Sequence, residues 1–144
     1  MPHSFTRIWI HAVWSTKLRE PLISADIEQQ VFNYLNLELR AMGCPVRIIN
    51  GMPDHVHCLF LLNPQKSLTD IIKQCKGYSS YAINKHGISK KKFSWQRGYA
   101  AFSVSNIGVY AVHRYIAHQK QHHQFIPFKV EYDSYSRLKA IQKA

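Results

Sequence analysis

Residues 55–62 read His55-Val56-His57-Cys58-Leu59-Phe60-Leu61-Leu62, a mostly apolar run that predicts a buried β-strand. A turn at residues 51–54 precedes this strand, and Asn63-Pro64 ends it. Because successive side chains of a strand point to opposite faces, His55 and His57 project from the same face, about 7 Å apart at their roots. The run therefore predicts a buried strand that presents two histidines on one side.

The segments around this strand predict the fold class. In chain order, the predicted elements are strand 4–14, helix 24–42, strand 45–50, strand 55–62, helix 67–85, strand 99–104 and helix 106–123. Ser67 and Asn106 are suited to cap the last two helices. The order predicts one domain over residues 1–144 of the α+β class, with a ferredoxin-like (RRM-like) antiparallel sheet and an extra C-terminal helix.

The charge balance favours a nucleic-acid partner. Nineteen Lys and Arg stand against eight Asp and Glu, a net charge of +11 in 144 residues. Between Lys66 and Arg97 the basic residues alternate with aromatic ones, a composition that suits phosphates and unpaired bases. The other reading is a solvated, lysine-rich helix and loop. The residues that we expect on DNA are Lys73, Lys76, Lys90, Lys91, Lys92 and Arg97.

Composition also indicates the compartment. No apolar run approaches the roughly 20 residues that a membrane helix needs, and the N-terminal stretch lacks the apolar core of a signal peptide. Three widely spaced cysteines are typical of neither a disulfide framework nor a thiolate zinc site. We therefore expect a cytoplasmic protein with reduced thiols and no membrane partner.

The last predicted helix carries a second group of reactive residues. Tyr115 and Gln119 stand one turn apart on one face, beside an apolar stripe that includes Val112 and Ile116. Taken alone, Tyr115 reads better as an ordinary boundary tyrosine. The histidine pair taken alone reads equally as metal ligands and as polar decoration of a strand. Taken together, two imidazoles and an amide oxygen form a mixed nitrogen and oxygen set that suits Mg²⁺ or Mn²⁺ on a phosphate.

This combination resembles the single-tyrosine HUH transposases of the insertion-sequence-200 type, in which HUH means His-hydrophobic-His. The likeness runs along nearly the whole chain. It is carried, in order, by residues 11–17 (HAVWSTK), 19–22 (REPL), 52–57 (MPDHVH), 95–99 (WQRGY), 101–105 (AFSVS) and 115–123 with Tyr115, Gln119, His122 and His123. The resemblance implies that His55, His57 and Gln119 are the metal ligands and that Tyr115 is the nucleophile.

The resemblance also implies a reaction and its partners. In the implied reaction a metal binds the scissile phosphate of single-stranded DNA while Tyr115 attacks phosphorus. The products are a 5′-phosphotyrosine and a 3′-hydroxyl. Members of the family recognise DNA hairpins near element ends. They act as homodimers whose sheets join and whose tyrosine helix serves a site completed by the other subunit. The roles of His118, His122 and His123 stay unassigned.

Two other functions remain open on the residues themselves. A non-catalytic or domesticated single-strand nucleic-acid-binding domain explains the charge and the aromatic residues, but it leaves the histidine pair and Tyr115 as coincidence. A two-histidine phosphoesterase, which hydrolyses through a metal-bound water, explains the histidines and not the tyrosine.

Overall fold

The computed structural model describes residues 3–122 and confirms the predicted fold class. Four strands form one antiparallel sheet in the order β2-β3-β1-β4, which is the ferredoxin-like order. The strands are β1 (Trp9–Ser15), β2 (Val46–Met52), β3 (His55–Leu61) and β4 (Ala100–Val104). The helices are α1 (Glu28–Ala41), α2 (Leu68–Lys85), α3 (Val109–Ala117) and α4 (Gln119–His122), and Lys17–Arg19 form a short 3-10 turn.

One face of the sheet builds the main hydrophobic core. Alternate residues of β1, including Ala12 and Trp14, point to this face together with Val56 and Phe60 of β3. The apolar stripes of α1 and α2 cover it, as the amphipathic spacing in both segments predicts. With α1 and α2 on one side, the other face of β1 and β3 is left for the histidines and for α3.

Helices α1 and α2 lie close to the predicted positions, and the last helix differs from its prediction. Ser67 caps α2 as predicted, since its Oγ accepts a hydrogen bond from the Asp70 amide at 3.1 Å. Asn106 does not cap the last helix. That helix begins at Val109, after a turn in which the Ser105 Oγ accepts from the Gly108 amide at 3.1 Å. The predicted helix end at residue 123 and the weakly amphipathic tail lie outside the described residues.

The last helical segment is also interrupted. α3 ends at Ala117, and His118 has φ −104° and ψ 25°, outside the helical region, before α4 starts at Gln119. The single helix that the sequence predicts is therefore two short helices joined by a bend.

The three cysteines lie in the hydrophobic core. Cys44, Cys58 and Cys75 are buried and unbridged, and burial raises the pKa of the Cys58 and Cys75 thiols. These thiols pack as small apolar groups. Among the helices of residues 3–122, none is long and apolar enough to cross a membrane.

Gly51 gives a stability prediction because the β2–β3 hairpin closes tightly on it. A Cβ at Gly51 would meet the His55 carbonyl oxygen at 2.2 Å and the Val56 Cα at 2.9 Å. We expect Gly51→Ala to lower the free energy of unfolding by about 1–3 kcal/mol, because backbone has to shift. The measurement is urea denaturation at pH 7.

The matched control is Gly77, which lies inside α2 and has nothing within 4 Å of an added Cβ. Gly77→Ala should raise the free energy of unfolding by about 0.5–1 kcal/mol, since alanine loses less backbone entropy in a helix. Equal effects of the two substitutions would show that the hairpin tolerates a Cβ atom at Gly51.

Candidate active site

The two histidines of β3 lie side by side in the interior. His55 and His57 are both 0% exposed, their ring centroids are 5.2 Å apart and their planes are inclined by 72°. They share one face of β3, as strand alternation predicts. Their partners across the strand pair are Ser15 and Val13 of β1, respectively.

Each imidazole is oriented through its Nδ1. His55 Nδ1 lies 2.8 Å from Asp54 Oδ1, and His57 Nδ1 lies 2.8 Å from Nε2 of His11 on β1. With Nδ1 held in this way, Nε2 is the ring nitrogen that would bind a metal. An oriented Nδ1 partner of this kind is the usual support of a metal-binding histidine.

His11 is suited to accept the hydrogen bond from His57. It is buried, its ring stacks on His57 with centroids 5.1 Å apart, and burial lowers its pKa to about 4. His11 is therefore neutral near pH 7, so its Nε2 can accept while the Nδ1 of His57 donates. A His57 that binds a metal through Nε2 requires that tautomer.

α3 places the predicted nucleophile over the histidines. The Tyr115 ring is 5.6 Å from the His57 ring and 6.1 Å from the His11 ring, centroid to centroid, and meets both edge-on. Tyr115 is partly buried and packs beside the small cluster of Leu59 and Ile116. The phenol of Tyr115 thus belongs to the same buried group as the histidines.

Gln119 brings a buried side-chain oxygen that has no hydrogen-bond partner among residues 3–122. The residue is 0% exposed, and its Nε2 donates to the Tyr115 carbonyl oxygen at 3.3 Å. Its Oε1 accepts no hydrogen bond from any residue between 3 and 122. A buried amide oxygen without a donor is costly, and a cation would remove that cost.

These donors fit a hard divalent cation. Within residues 3–122, no three His, Cys, Asp or Glu side chains are grouped to hold a metal ion, so Gln119 would have to supply the third ligand. Two imidazoles and one amide oxygen leave coordination positions for phosphate oxygens, which suits Mg²⁺ or Mn²⁺. Zinc normally takes more nitrogen or sulfur ligands.

Polar contacts fix α3 and α4 on the edge strand β2. Asn50 Nδ2 donates to the Ile116 carbonyl oxygen at 3.0 Å. Lys120 Nζ donates to the Gly51 carbonyl oxygen at 2.6 Å and pairs with Glu28 at 3.0 Å. These contacts position Tyr115 and Gln119 above β3 of the same chain.

The residues expected on DNA divide into two groups. Lys73, Lys90, Lys91, Lys92 and Arg97 are exposed and remain predictions. Lys76 is half-buried, and its Nζ donates to the carbonyl oxygens of Gln96 at 2.7 Å and Gly98 at 2.9 Å. Lys76 thus supports the loop at residues 96–99, and burial lowers its pKa; its contact with DNA also remains a prediction.

Sequence reasoning missed several residues of the site. His11 and Asp54 were part of the motifs but had no role, and the anchors Asn50 and Lys120 had no signal at all. Strand alternation placed His11 on the face opposite Ala12 and Trp14, yet its contact with His57 depends on strand register, which a single sequence does not reveal. His118 is explained locally, since its Nδ1 donates to the Arg114 carbonyl oxygen at 2.7 Å.

Comparison with known proteins gives the family of this chain. The family described as "Transposase IS200 like" matches residues 4–119, and the chain belongs to this family. The ISDra2 transposase TnpA of Deinococcus radiodurans is 30% identical over 70 residues, which are 49% of this chain and 50% of that protein. The chain therefore matches about half the length of this curated relative.

Solved structures share the fold. A Deinococcus radiodurans protein assigned as a transposase superimposes with a TM-score of 0.66 and 22% identity, covering 83% of this chain and 95% of that one. A REP-associated tyrosine transposase, solved bound to a REP hairpin, superimposes with a TM-score of 0.61 and 17% identity, covering 88% of this chain and 74% of that one. At these identities the likeness shows the fold alone.

His11 predicts how stability depends on pH. Its pKa is about 4 in the folded chain and 6.5 in the unfolded one, so below pH 6.5 the unfolded state takes up the proton first. The free energy of unfolding should therefore fall by about 3 kcal/mol between pH 6.5 and pH 4 on account of this residue. His11→Gln should show a shallower fall in urea denaturation across that range.

The control is His3→Gln, which changes an exposed histidine. It should keep the pH slope of the unaltered chain. Identical slopes for His11→Gln and the unaltered chain would mean that His11 is not neutral and buried in solution.

Proposed function

We propose that the chain cleaves and rejoins single-stranded DNA at the ends of a mobile element through a 5′-phosphotyrosine on Tyr115. Cleavage would depend on Mg²⁺ or Mn²⁺ held by His55, His57 and Gln119. The observation that carries the proposal is the Tyr115 ring, which lies 5.6 Å from the ring of the buried His57, together with the buried Gln119 amide oxygen, which has no donor among residues 3–122. Membership of the IS200-like transposase family supports it.

The chain's own residues account for most of the reaction. The Tyr115 oxygen, having lost its proton, attacks phosphorus, the new Oη–P bond forms, and the P–O3′ bond breaks as the 3′ oxygen takes up a proton. A bound Mg²⁺ or Mn²⁺ would supply Lewis-acid stabilisation of the charge on the phosphate oxygens. A second 3′-hydroxyl then attacks the phosphotyrosine, restores a phosphodiester and releases the phenol. The energy of the original bond is kept, so resealing needs no nucleotide.

Single strands that carry hairpins are the proposed partner. The histidines are buried beneath Tyr115 of α3, so we expect a phosphate to reach them only from a strand that has left the regular duplex. The net charge of +11 suits a strand that follows the surface to reach them. A hairpin fits this partner because the related fold of the REP-associated tyrosine transposase was solved with one. A homodimer is part of the proposal, as the family resemblance implies.

The decisive test removes only the nucleophilic oxygen. Tyr115→Phe keeps the ring against His57 and His11, so folding should be unchanged while covalent capture and cleavage are both lost. The substrate is a labelled single strand from the DNA that flanks the gene, incubated with Mn²⁺. A denaturing gel then measures protein attached to the 5′ end of the downstream fragment.

Two variants act as controls. Tyr110 lies on the same helix about 140° away and is 64% exposed, so Tyr110→Phe should stay active. His57→Ala should lose cleavage and keep hairpin binding, because the histidine serves the reaction. An adduct that persists in Tyr115→Phe would contradict the assignment. Cleavage without any adduct would favour the phosphoesterase, and strand binding without cleavage would favour the non-catalytic domain.

A further part of the proposal concerns which chain each tyrosine serves. Asn50 binds α3, and Lys120 of α4 binds Gly51 of β2. These contacts support a Tyr115 that acts beside His57 of the same chain, in place of the arrangement across two subunits that the resemblance implies. A mixture of Tyr115→Phe and His57→Ala chains should then remain inactive, because every own-chain site lacks one essential group. The same covalent gel assay measures this after the two variants are unfolded and refolded together.

A mixture of unaltered and Tyr115→Phe chains provides the control for refolding. Its activity should follow the fraction of unaltered chain. Adduct formation in the mixture of the two inactive variants would instead place each tyrosine in its partner's site.

A further inference from the structure

A cavity lies along β1, between this strand and a neighbouring loop. Its volume is about 350 Å³, and its lining includes Val13, Trp14 and Ser15 of β1, the turn residues Leu18 and Arg19, and the loop from Gln96 to Tyr99. This volume lies at the lower end of the range for small-ligand sites, roughly 300–1,000 Å³. The active-site mechanism proposed above makes no use of it.

Strand register connects this cavity to the site of cleavage. Val13 is the β1 partner of His57, and Ser15 is the β1 partner of His55. Residues directly opposite in an antiparallel pair point to one face with their Cβ atoms about 5 Å apart. The cavity therefore starts one strand away from both histidines. It lies toward the β4 edge of the sheet, whereas α3 is anchored on β2 at the other edge.

The cavity wall is formed by strained backbone. Leu18 and Arg19 have φ values of 56° and 55°, a left-handed conformation that side chains other than glycine adopt at a cost. Leu18 N donates to Gln96 Oε1 at 3.0 Å, and Arg19 N donates to the Thr16 carbonyl oxygen at 3.0 Å. The opposite wall is held as well, since Lys76 binds the carbonyl oxygens of Gln96 and Gly98. The cavity is thus a rigid feature of the fold.

The strained turn presents the apolar side chain of Leu18 to a cavity that arginines also line. Leu18 is 75% exposed, so packing within the chain does not explain its conformation. Arg19 and Arg97 line the same cavity. An apolar surface for a base, together with guanidinium groups for phosphate or base edges, suits an unstacked nucleotide.

We infer that this cavity receives the unstacked nucleotide that adjoins the scissile phosphodiester, with Leu18 against its base and Arg97 on its polar edge or phosphate. The inference deepens the proposed function and rests on it. Binding of this nucleotide fixes the neighbouring phosphate over His55 and His57. The cavity thereby contributes to the choice of the bond that is cut.

The test uses 2-aminopurine, a base analogue that fluoresces when it is unstacked. The analogue replaces each base of the labelled single strand in turn, and the Tyr115→Phe chain is used so that the DNA stays intact. Fluorescence should rise several-fold at one position next to the cleaved bond. Leu18→Asn and Arg97→Gln should each abolish that rise and weaken strand binding about tenfold, as expected for the loss of one base contact. Asparagine tolerates the left-handed conformation, so the turn should survive.

Lys17→Gln is the matched control, because it removes a neighbouring exposed charge that does not line the cavity; it should keep the rise. Thermal denaturation checks that each variant is folded. If Leu18→Asn does not fold, Arg97→Gln, which lies on an exposed loop, still tests the inference. A uniform signal along the strand, or a rise that persists in Arg97→Gln, would overturn the inference even when the unaltered chain forms its adduct. A single bright position that depends on Arg97, without any adduct, would support the cavity and overturn the proposed function.

Discussion

Two imidazoles are buried on the face of β3 that α3 covers, and the rest of the site depends on this constraint. His55 and His57 are inaccessible to water, and a buried polar ring needs hydrogen-bond partners to offset its lost hydration. The chain supplies them from the adjoining turn, as Asp54, and from the neighbouring strand, as His11. Both partners lie at Nδ1, so the sheet and its adjoining turn fix the orientation of the two rings.

A continuous sheet also explains why these groups have fixed geometry. The partner of His57 belongs to β1, so the hydrogen bond between His11 and His57 forms only in the observed register, in which Val13 lies opposite His57. A slip by one residue would move every side chain of the strand to the other face. It would also expose Ala12 and Trp14, which the core holds buried. The core and the site therefore select the same register.

The sequence predicted the parts of this structure that local patterns determine. Strand alternation gave the buried β3 and the shared face of His55 and His57, and the Ser67 cap was visible from its spacing to Asp70. Asn106 was wrong as a cap because the neighbouring Ser105 and Gly108 form the turn that starts α3. The pair His11–His57 and the role of Lys76 depend on contacts between distant segments, which residue patterns along one chain do not encode.

The placement of Tyr115 is a property of β2 as much as of its own helix. α3 has nine residues and α4 has four, and isolated helices of such length are unstable in water. Their order therefore comes from tertiary contacts: apolar packing of Ile116 on Leu59 and hydrogen bonds from Asn50 and Lys120. The bend at His118 then turns Gln119 inward, where its amide oxygen has no donor among the described residues. A short helix held by an edge strand thus brings the Tyr115 ring to within 5.6 Å of the His57 ring, which the central strands had already fixed.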